Sequence, residues 1–253
     1  MTVIEQSTFN GCRNLTNVTM GDNVTSIGIT AFYNTGLTSF TFPSALTSIG
    51  QSAFENSKLT GDIELPANLT SISTQAFAGT SLTGVSIPAG VTSIGSGAFA
   101  PIAPLAAITL AEGNTSFMLD NGVLLNAAGT RLLVTAHEGI AQGEIGLIYI
   151  NAKLQTIDNY GLAYAPFTLV DLPALTTIGN YGFAYSDIEF YTLKNGVTVG
   201  QNVFAGSALQ EIIIAEGRNE IPQGLCAQCT NLTSVVLPTT ATNMMRNCFD
   251  GCT

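Results

Sequence analysis

The chain has 253 residues, of which 46% are hydrophobic and only 9% are charged, and its formal net charge is −10. No apolar run reaches the roughly 20 residues that a membrane-spanning helix needs, because Gly, Pro, Ser, Thr or Asn interrupts every run. The seven Lys and Arg residues are too few for the clustered cations that bind nucleic acid or anionic lipid. The composition therefore argues against a nucleic-acid partner and against membrane insertion of this segment.

One nine-residue phrase recurs along the chain. It reads VTSIGITAF at Val24–Phe32, LTSIGQSAF at Leu46–Phe54, LTSISTQAF at Leu69–Phe77 and VTSIGSGAF at Val91–Phe99. The final position of the phrase, here called the Phe column, is occupied by Phe9, Phe32, Phe54, Phe77, Phe99, Leu162, Phe183, Phe204, Cys226 and Phe249. Such regular repetition is typical of a solenoid, in which each coil buries its apolar edge only against its neighbours.

An extended segment precedes the phrase in each repeat. Apolar residues alternate along its second half and Pro often follows it, so we predict a β-strand that ends at the Pro. The ten predicted strands are 15–20, 37–42, 59–65, 82–87, 105–110, 145–150, 167–172, 188–193, 209–214 and 232–237. They predict one parallel sheet of about ten strands.

The phrase itself predicts two further elements. Its LTSIG part predicts a second short strand, and its x-x-Ala-Phe part predicts a tight helical turn. Two residues beyond the Phe column come Gly11, Asn34, Asn56, Gly79, Gly206 and Gly251. Because Gly and Asn tolerate left-handed backbone, these positions are predicted to turn the chain into the next strand.

The Phe column is interrupted between Phe99 and Leu162. The intervening segment predicts a β-hairpin insertion at about 112–143, with apolar arms at Val123–Leu125 and Leu132–Val134. We expect a single domain over 1–253. Both ends fall within a repeat, so we also expect a longer array and a targeting segment outside this chain.

A family resemblance rests on the LTSIG-x-x-AF phrase, the L-x-x-V-x-I-P strand and the DNGVLLN…TRLLV insertion. These residues resemble the BspA-like leucine-rich repeat proteins of bacterial and protozoan surfaces, over essentially the whole chain. The resemblance implies a right-handed, β-dominated leucine-rich repeat solenoid. It also implies an extracellular or cell-surface location, with some members acting as adhesins for host proteins.

Five cysteines invite a metal or disulfide interpretation: Cys12, Cys226, Cys229, Cys248 and Cys252. Three of them, Cys12, Cys229 and Cys252, lie three residues after the Phe column, where other repeats carry Thr or Ser. The repeat therefore favours free, buried thiols in a slot for a small side chain. Zinc binding and a disulfide between neighbouring coils remain alternatives.

Catalytic and metal-binding constellations are not evident. His137 is the only histidine, and we interpret it as an exposed loop residue, since a lone His cannot form a multi-histidine site. Asp62 and Glu64 share a strand face, which is interpreted as solvated surface. We therefore predict no catalytic residue, no metal site and no cofactor.

The outward positions of the predicted strands change character along the chain. They are polar in the first four strands, for example Ser39 and Thr41. After the insertion they include Leu147, Tyr149, Leu169, Phe190, Ile213 and Val236, which we call the apolar patch. Exposed apolar groups on a sheet favour a contact surface. Simple strand preference and coverage by the hairpin are the alternatives.

The sequence thus leads to two hypotheses. The first is a non-catalytic, adhesin-like binding module that is secreted or displayed on a surface. It would be a monomer contacting a host or cell-surface protein or glycan. The alternative is a structural stalk or spacer that presents other domains.

Overall fold

The computed structural model describes residues 1–102, 105–136, 147–148 and 152–253, with only the backbone at 147–148. These residues group into two compact units, one formed by Met1–Ala127 with Ala136, the other by Ala128–Thr135 with 147–148 and 152–253. Each unit is a β-solenoid whose coils stack through parallel strands, and the described residues contain no helix. The predicted solenoid is confirmed, whereas the single domain over 1–253 stays a prediction.

Short strands from successive phrases form a parallel ladder in the first unit. They span Val3–Ile4, Ser26–Ile27, Ser48–Ile49, Ser71–Ile72 and Ser93–Ile94. Each strand aligns with the same residues of the next phrase, as in Ile27 opposite Ile49. Because successive strand residues face opposite sides, Ile27 and Ile49 are buried while Ser26 and Ser48 are half-buried. The second short strand of each repeat is therefore confirmed.

The longer strands of the first unit form a separate parallel sheet. They span Thr60–Glu64, Ser81–Ile87 and Ala107–Leu110. Their inward residues are in register, with Ile63 opposite Val85 and Val85 opposite Ile108.

The strands predicted at 15–20 and 37–42 are wrong, since neither segment forms a strand. Phe40 and Phe42 both pack against Phe54, and their ring centroids lie 4.9 and 5.7 Å from that of Phe54. We attribute the irregular backbone of 37–42 to this bulky pair. Segment 15–20 has only that irregular segment as its neighbour and so lacks a ladder partner.

The insertion contains both predicted hairpin arms and one further strand. Phe117–Asp120 pairs antiparallel with Val123–Asn126. The connecting residues Asn121 and Gly122 have φ of 47° and 76°, as a two-residue hairpin turn requires. The two predicted arms lie in Val123–Asn126 and Arg131–Thr135, which are adjacent strands of one sheet. Arg131–Thr135 is in addition the parallel partner of Thr156–Ile157. Part of the predicted insertion, 137–143, lies outside the described residues.

The second unit repeats the same two kinds of strand. Its further short strands span Thr156–Ile157, Thr177–Ile178, Thr198–Val199, Glu220–Ile221 and Asn243–Met244. Its longer strands span Leu147–Ile148, Leu169–Val170, Phe190–Leu193, Glu211–Ile214 and Ser234–Val236. Eight of the ten predicted long strands thus contain a strand, within three separate sheets rather than one.

The Phe column forms the core of both units. In the first unit neighbouring rings stack nearly parallel; Phe32 and Phe54 have centroids 5.1 Å apart and an angle of 11°. In the second unit Phe183 and Phe204 stack at 5.2 Å. Each of these four side chains is completely buried, so the column supplies the apolar burial that holds coils together.

The helical turns predicted at x-x-Ala-Phe are wrong. Around Phe54, Ser52 and Asn56 adopt φ of 54° and 57°, and left-handed residues at that spacing break a right-handed helix. The N–H groups of Ser52, Phe54 and Asn56 instead donate to three carbonyl groups of the next coil, at 2.8–3.0 Å. The turn segments therefore form a hydrogen-bonded ladder of their own.

Left-handed residues occupy two positions in nearly every coil, two residues before and two residues after the Phe column. We call these the left-handed columns. The first comprises Ser7, Thr30, Ser52, Gln75, Gly97, Tyr160, Tyr181, Asn202, Gly224 and Asn247. The second comprises Gly11, Asn34, Asn56, Gly79, Tyr164, Tyr185, Gly206, Gln228 and Gly251. The left-handed turns predicted at six Gly and Asn positions are confirmed, and the first column was not predicted.

Candidate binding surface

Four residues of the apolar patch lie on the outward face of the second unit. The exposed fractions of Leu169, Phe190, Ile213 and Val236 are 42%, 46%, 38% and 47%. Alternate residues on two of these strands point inward, since Val170 is 9% exposed and Ile212 is completely buried, whereas Val235 on the last strand is 38% exposed. Strand alternation therefore places these apolar side chains in solvent. Val236 lies on a strand with only one sheet neighbour, which adds to its exposure.

The other two residues are less well defined. The backbone of Leu147 pairs in register with Leu169, which puts the two residues on one row of their sheet. Its side chain and the whole of Tyr149 lie outside the described residues.

The register shows that the patch is staggered rather than a single row. Phe190 lies opposite Glu211, and Ile213 lies opposite Thr192 on one side and Val236 on the other. Phe190 and Ile213 are therefore diagonal neighbours, at a separation of about 7–8 Å that an aromatic side chain can reach across. Polar groups thus interrupt the apolar surface.

A groove of about 230 Å³ lies beside the patch, lined among others by Leu169, Phe190, Tyr191, Lys194 and Val197. Burial raises the pKa of the Tyr191 phenol above its ordinary value. Its ring packs on Phe204 with centroids 4.9 Å apart. Tyr191 was not among the residues that the sequence predicted for this surface, and its contribution to the groove was missed. The groove combines apolar walls with one cation and one carboxylate, Lys194 and Asp171, which suits an amphipathic ligand group.

The outward face in the first unit is polar. Thr83 donates from its hydroxyl to Asp62 Oδ1 at 2.7 Å. The Asp62 carboxylate also reaches over Gly84, where an added Cβ would lie 2.6 Å from Oδ1. Asp62 thus serves a contact between two coils, and it lies opposite Gly84 in the sheet.

Tyrosines form a second feature, which sequence analysis missed. Tyr160 stacks on Tyr181 with centroids 4.8 Å apart, and Tyr164 stacks on Tyr185 at 5.0 Å. All four have φ between 57° and 60°, which is rare for a bulky residue. The signal was the spacing Tyr-x-x-x-Tyr around the Phe column in two successive repeats. Elsewhere the left-handed columns carry Gly, Asn, Gln, Ser or Thr.

The slot three residues after the Phe column holds small buried side chains, as predicted. Thr35, Ser57, Thr80, Ser186 and Ser207 are at most 5% exposed, and Cys229 is completely buried. Cys12 is exposed and Cys252 is half-buried, so burial was wrongly predicted at Cys12, whose coil has a neighbour on one side only. All five thiols are free.

Neither a metal-binding cluster nor a membrane-spanning helix occurs among the described residues. Within the described residues no group of three or more His, Cys, Asp or Glu side chains could hold a metal ion. The same residues include no helix with the length and apolarity to cross a bilayer. His137 lies outside the part of the chain that the structure describes.

Comparison with known families gives one match. The model of the BspA type leucine rich repeat region matches residues 1–119 and 141–253, in six copies. Among curated proteins, none matches this chain.

Three solved structures share the fold. A leucine-rich repeat protein from Eubacterium ventriosum is 23% identical with a TM-score of 0.82, over 99% of this chain and 80% of that one. The pneumococcal vaccine antigen PcpA is 20% identical with a TM-score of 0.71, over 96% and 65%. A leucine rich cell surface protein from Faecalibacterium prausnitzii is 24% identical with a TM-score of 0.65, over 100% and 71%. At these identities the likeness concerns the fold alone.

Proposed function

This chain belongs to the BspA-type leucine-rich repeat family, and on that basis we propose that it is a non-catalytic, adhesin-like binding module, secreted or displayed on a cell surface. The apolar patch of the second unit contacts a protein or glycan of the host or of another cell. The observation that carries the proposal is the exposure of Leu169, Phe190 and Ile213 beside a groove.

Two kinds of support bear on this proposal. Exposed aromatic and aliphatic side chains around a depression are typical of interface anchors, since they release water from apolar surface when covered. For the location, one structure of the same fold is a cell surface protein and another is a vaccine antigen. Repeat solenoids present extended surfaces suited to partner binding.

The test compares the wild type with a triple variant, Tyr149→Ser, Phe190→Ser and Ile213→Ser. Both proteins are applied to an array of purified extracellular matrix proteins, cell-surface proteins and mucin glycans, and affinities are measured for each ligand that the wild type binds. We expect the affinity of the variant to fall at least about tenfold, since truncating one interface anchor commonly costs more than 1 kcal/mol.

A matched control changes the equivalent outward positions of the first unit, Thr41→Ser, Glu64→Ser and Ser86→Ala. This control should bind as the wild type does. If the triple variant binds every identified ligand as tightly as the wild type, the patch assignment is wrong. If the wild type binds no ligand on the array, the result favours the structural alternative of a stalk or spacer.

A further inference from the structure

The small-residue slot forms a column of its own, in which side chains of neighbouring coils touch. Ser207 and Cys229 occupy this slot in two successive coils of the second unit. The Ser207 Oγ and Cys229 Sγ atoms are 3.5 Å apart. Groups that occupy successive slots are therefore in direct contact.

Cys229 and Cys252 occupy the next pair of slots. The Cys229 thiol donates to the carbonyl oxygen of Phe204 at 3.0 Å, and the Cys252 thiol donates to that of Cys226 at 3.1 Å. These are the same bond displaced by one coil. The turn ladder also continues between these coils, since the Cys226 N–H donates to the Cys248 carbonyl at 2.8 Å.

This repeated placement satisfies the distance requirement of a disulfide. Strands in a ladder lie about 4.8 Å apart, and the Cα atoms of disulfide-bonded cysteines lie about 4.4–6.8 Å apart. Equivalent residues in neighbouring, hydrogen-bonded coils fall in that range. The Cα separation expected for Cys229 and Cys252 therefore lies in the range that a disulfide requires.

The remaining cysteines are less suited. The Cys248 thiol donates to the Met245 carbonyl at 2.8 Å, at the position before the Phe column rather than in the slot. Cys226 occupies the Phe column and is completely buried, as is Cys229, so an oxidant could reach neither member of that pair. Cys252 is half-buried and gives solvent access to the slot.

We propose that Cys229 and Cys252 form a reversible disulfide that links two neighbouring coils of the second unit, with a low-molecular-weight disulfide as the oxidant. This covalent modification is independent of the binding function proposed above. It requires only the slot geometry and the half-exposed sulfur of Cys252.

The exchange proceeds in two balanced steps. The Cys252 thiolate, its proton lost to solvent, attacks one sulfur of the oxidant, which gives a mixed disulfide and releases one thiolate. The Cys229 thiolate then attacks the Cys252 sulfur and releases the second. Two protein thiols lose two protons and two electrons, and the oxidant becomes two thiols. A hydrogen bond from the Cys226 thiol lowers the pKa of Cys229, which favours the Cys229 thiolate in the second step.

The test equilibrates the purified, folded protein with oxidised glutathione, alkylates the remaining thiols and digests with trypsin. Cleavage after Arg218 and Arg246 separates 219–246, which holds Cys226 and Cys229, from 247–253, which holds Cys248 and Cys252. We expect a disulfide-linked pair of these two peptides, lost on reduction, with Cys12 and the other thiols alkylated.

Matched variants identify the sulfurs. Cys229→Ser and Cys252→Ser place Ser in a slot that already accepts Ser186 and Ser207, so they should fold and lose the linked peptides. Cys248→Ala restores the residue found before Phe in other repeats and should keep them. Linked peptides that persist in Cys229→Ser overturn the proposal. So does a disulfide confined to 219–246, or a folded protein that stays fully reduced under conditions that oxidise the denatured chain.

Discussion

The two units share one interior and differ in what they present to solvent. In both, a short strand, a turn ladder and the Phe column repeat from coil to coil, with stacked rings about 5 Å apart as in Phe32–Phe54 at 5.1 Å and Phe183–Phe204 at 5.2 Å. The outward face in the first unit carries polar residues such as Asp62 and Glu64. That of the second carries Phe190 and Ile213, and tyrosines occupy four positions of its left-handed columns.

This difference shows which positions of the repeat tolerate substitution. Interior positions are fixed because coils touch at van der Waals distance and each side chain must fill the same space. Outward positions have no such constraint, so they can vary in polarity without disturbing the backbone. A partner-binding function that distinguishes the two units must therefore reside in outward residues.

The largest effect is expected when a Phe-column residue is truncated, and doing so in each unit tests whether the two interiors are equally stable. Phe54→Ala should lower the free energy of unfolding by roughly 3–5 kcal/mol, since it leaves a large cavity between coils. Phe54 stacks on two rings of its column and is also met by Phe40 and Phe42. Phe183→Ala should act in the same direction but less strongly, because among the described residues two aromatic rings, Phe204 and Tyr191, pack on Phe183, against four on Phe54. Urea unfolding monitored by circular dichroism measures both.

Phe9→Ala provides the control for that comparison. Phe9 is half-buried in the first coil and stacks on Phe32 alone, so its loss should cost least. If Phe9→Ala lowers the free energy of unfolding as much as Phe54→Ala does, the stability of a coil does not depend on stacking against both neighbouring coils.

A second substitution tests the close approach of coils. An added Cβ at Gly50 would lie 2.7 Å from the carbonyl carbon of Gly28 and 2.8 Å from the nitrogen of Ile29. Both atoms are backbone and cannot turn away, so Gly50→Ala should destabilise the protein by about 3 kcal/mol, near the upper end of overpacking effects. Thermal unfolding gives the comparison with wild type.

Ser73 occupies the same place as Gly50 in the next phrase and already carries a Cβ, so Ser73→Ala is the matched control and should change little. If Gly50→Ala lowers the stability only slightly, the two coils can move apart locally to accept the added Cβ. The same test at Gly200, whose Cβ would lie 2.6 Å from the nitrogen of Asn180, extends it to the second unit.

Much of this interior could be predicted from the sequence. The period of the phrase fixes the number of coils, and the alternation of Ile63 with Asp62 and Glu64 fixes which side of a strand faces the core. Gly and Asn two residues past the Phe column indicate left-handed backbone through their own conformational preference. These inferences succeed because each depends on one residue type at one position.

Other features depend on several residues acting together. The pair Phe40 and Phe42 fits the strand pattern, yet 37–42 forms no strand. Ser52 and Gln75 carry no local sign of left-handed backbone, and only the stacking of turn segments imposes it. The patch was found because it follows strand alternation, whereas the groove beside it depends on the packing of Tyr191 and Lys194, which no pattern reports.

A smaller effect tests the tyrosines that distinguish the second unit. Gly11 and Gly206 share the second left-handed column, but an added Cβ at Gly11 meets nothing within 4 Å while one at Gly206 lies 2.7 Å from the Tyr185 ring. Gly11→Ala should therefore cost about 1 kcal/mol for left-handed backbone alone. Gly206→Ala should cost about 2 kcal/mol, since it also displaces Tyr185 from Tyr164.

Near-ultraviolet circular dichroism separates the two causes, because the chain has no Trp and Tyr is then the strongest chromophore in that region. The signal should change in Gly206→Ala and stay unchanged in Gly11→Ala. Equal costs and unchanged spectra in both variants would show that the tyrosine stack contributes nothing to the packing of these coils.

The smallest effect concerns a charged contact between coils of the second unit. Glu216 accepts hydrogen bonds from the backbone N–H and the hydroxyl of Thr239 at 3.0–3.1 Å, and these bonds lower the pKa of Glu216. A lowered pKa in the folded state means that the stabilisation is present above the ordinary pKa and is lost as pH falls through the folded one. Glu216→Gln should therefore be slightly less stable than wild type at neutral pH and equal to it in acid below both pKa values.

The control is the neutral hydrogen bond from the Thr70 hydroxyl to the Thr47 carbonyl in the first unit, which is 3.0 Å long. The effect of Thr70→Val on stability should not depend on pH. Urea unfolding from neutral pH into the acid range measures the free energy of unfolding of each variant. If the destabilisation by Glu216→Gln is constant with pH, the Glu216 carboxylate does not stabilise the second unit through its charge.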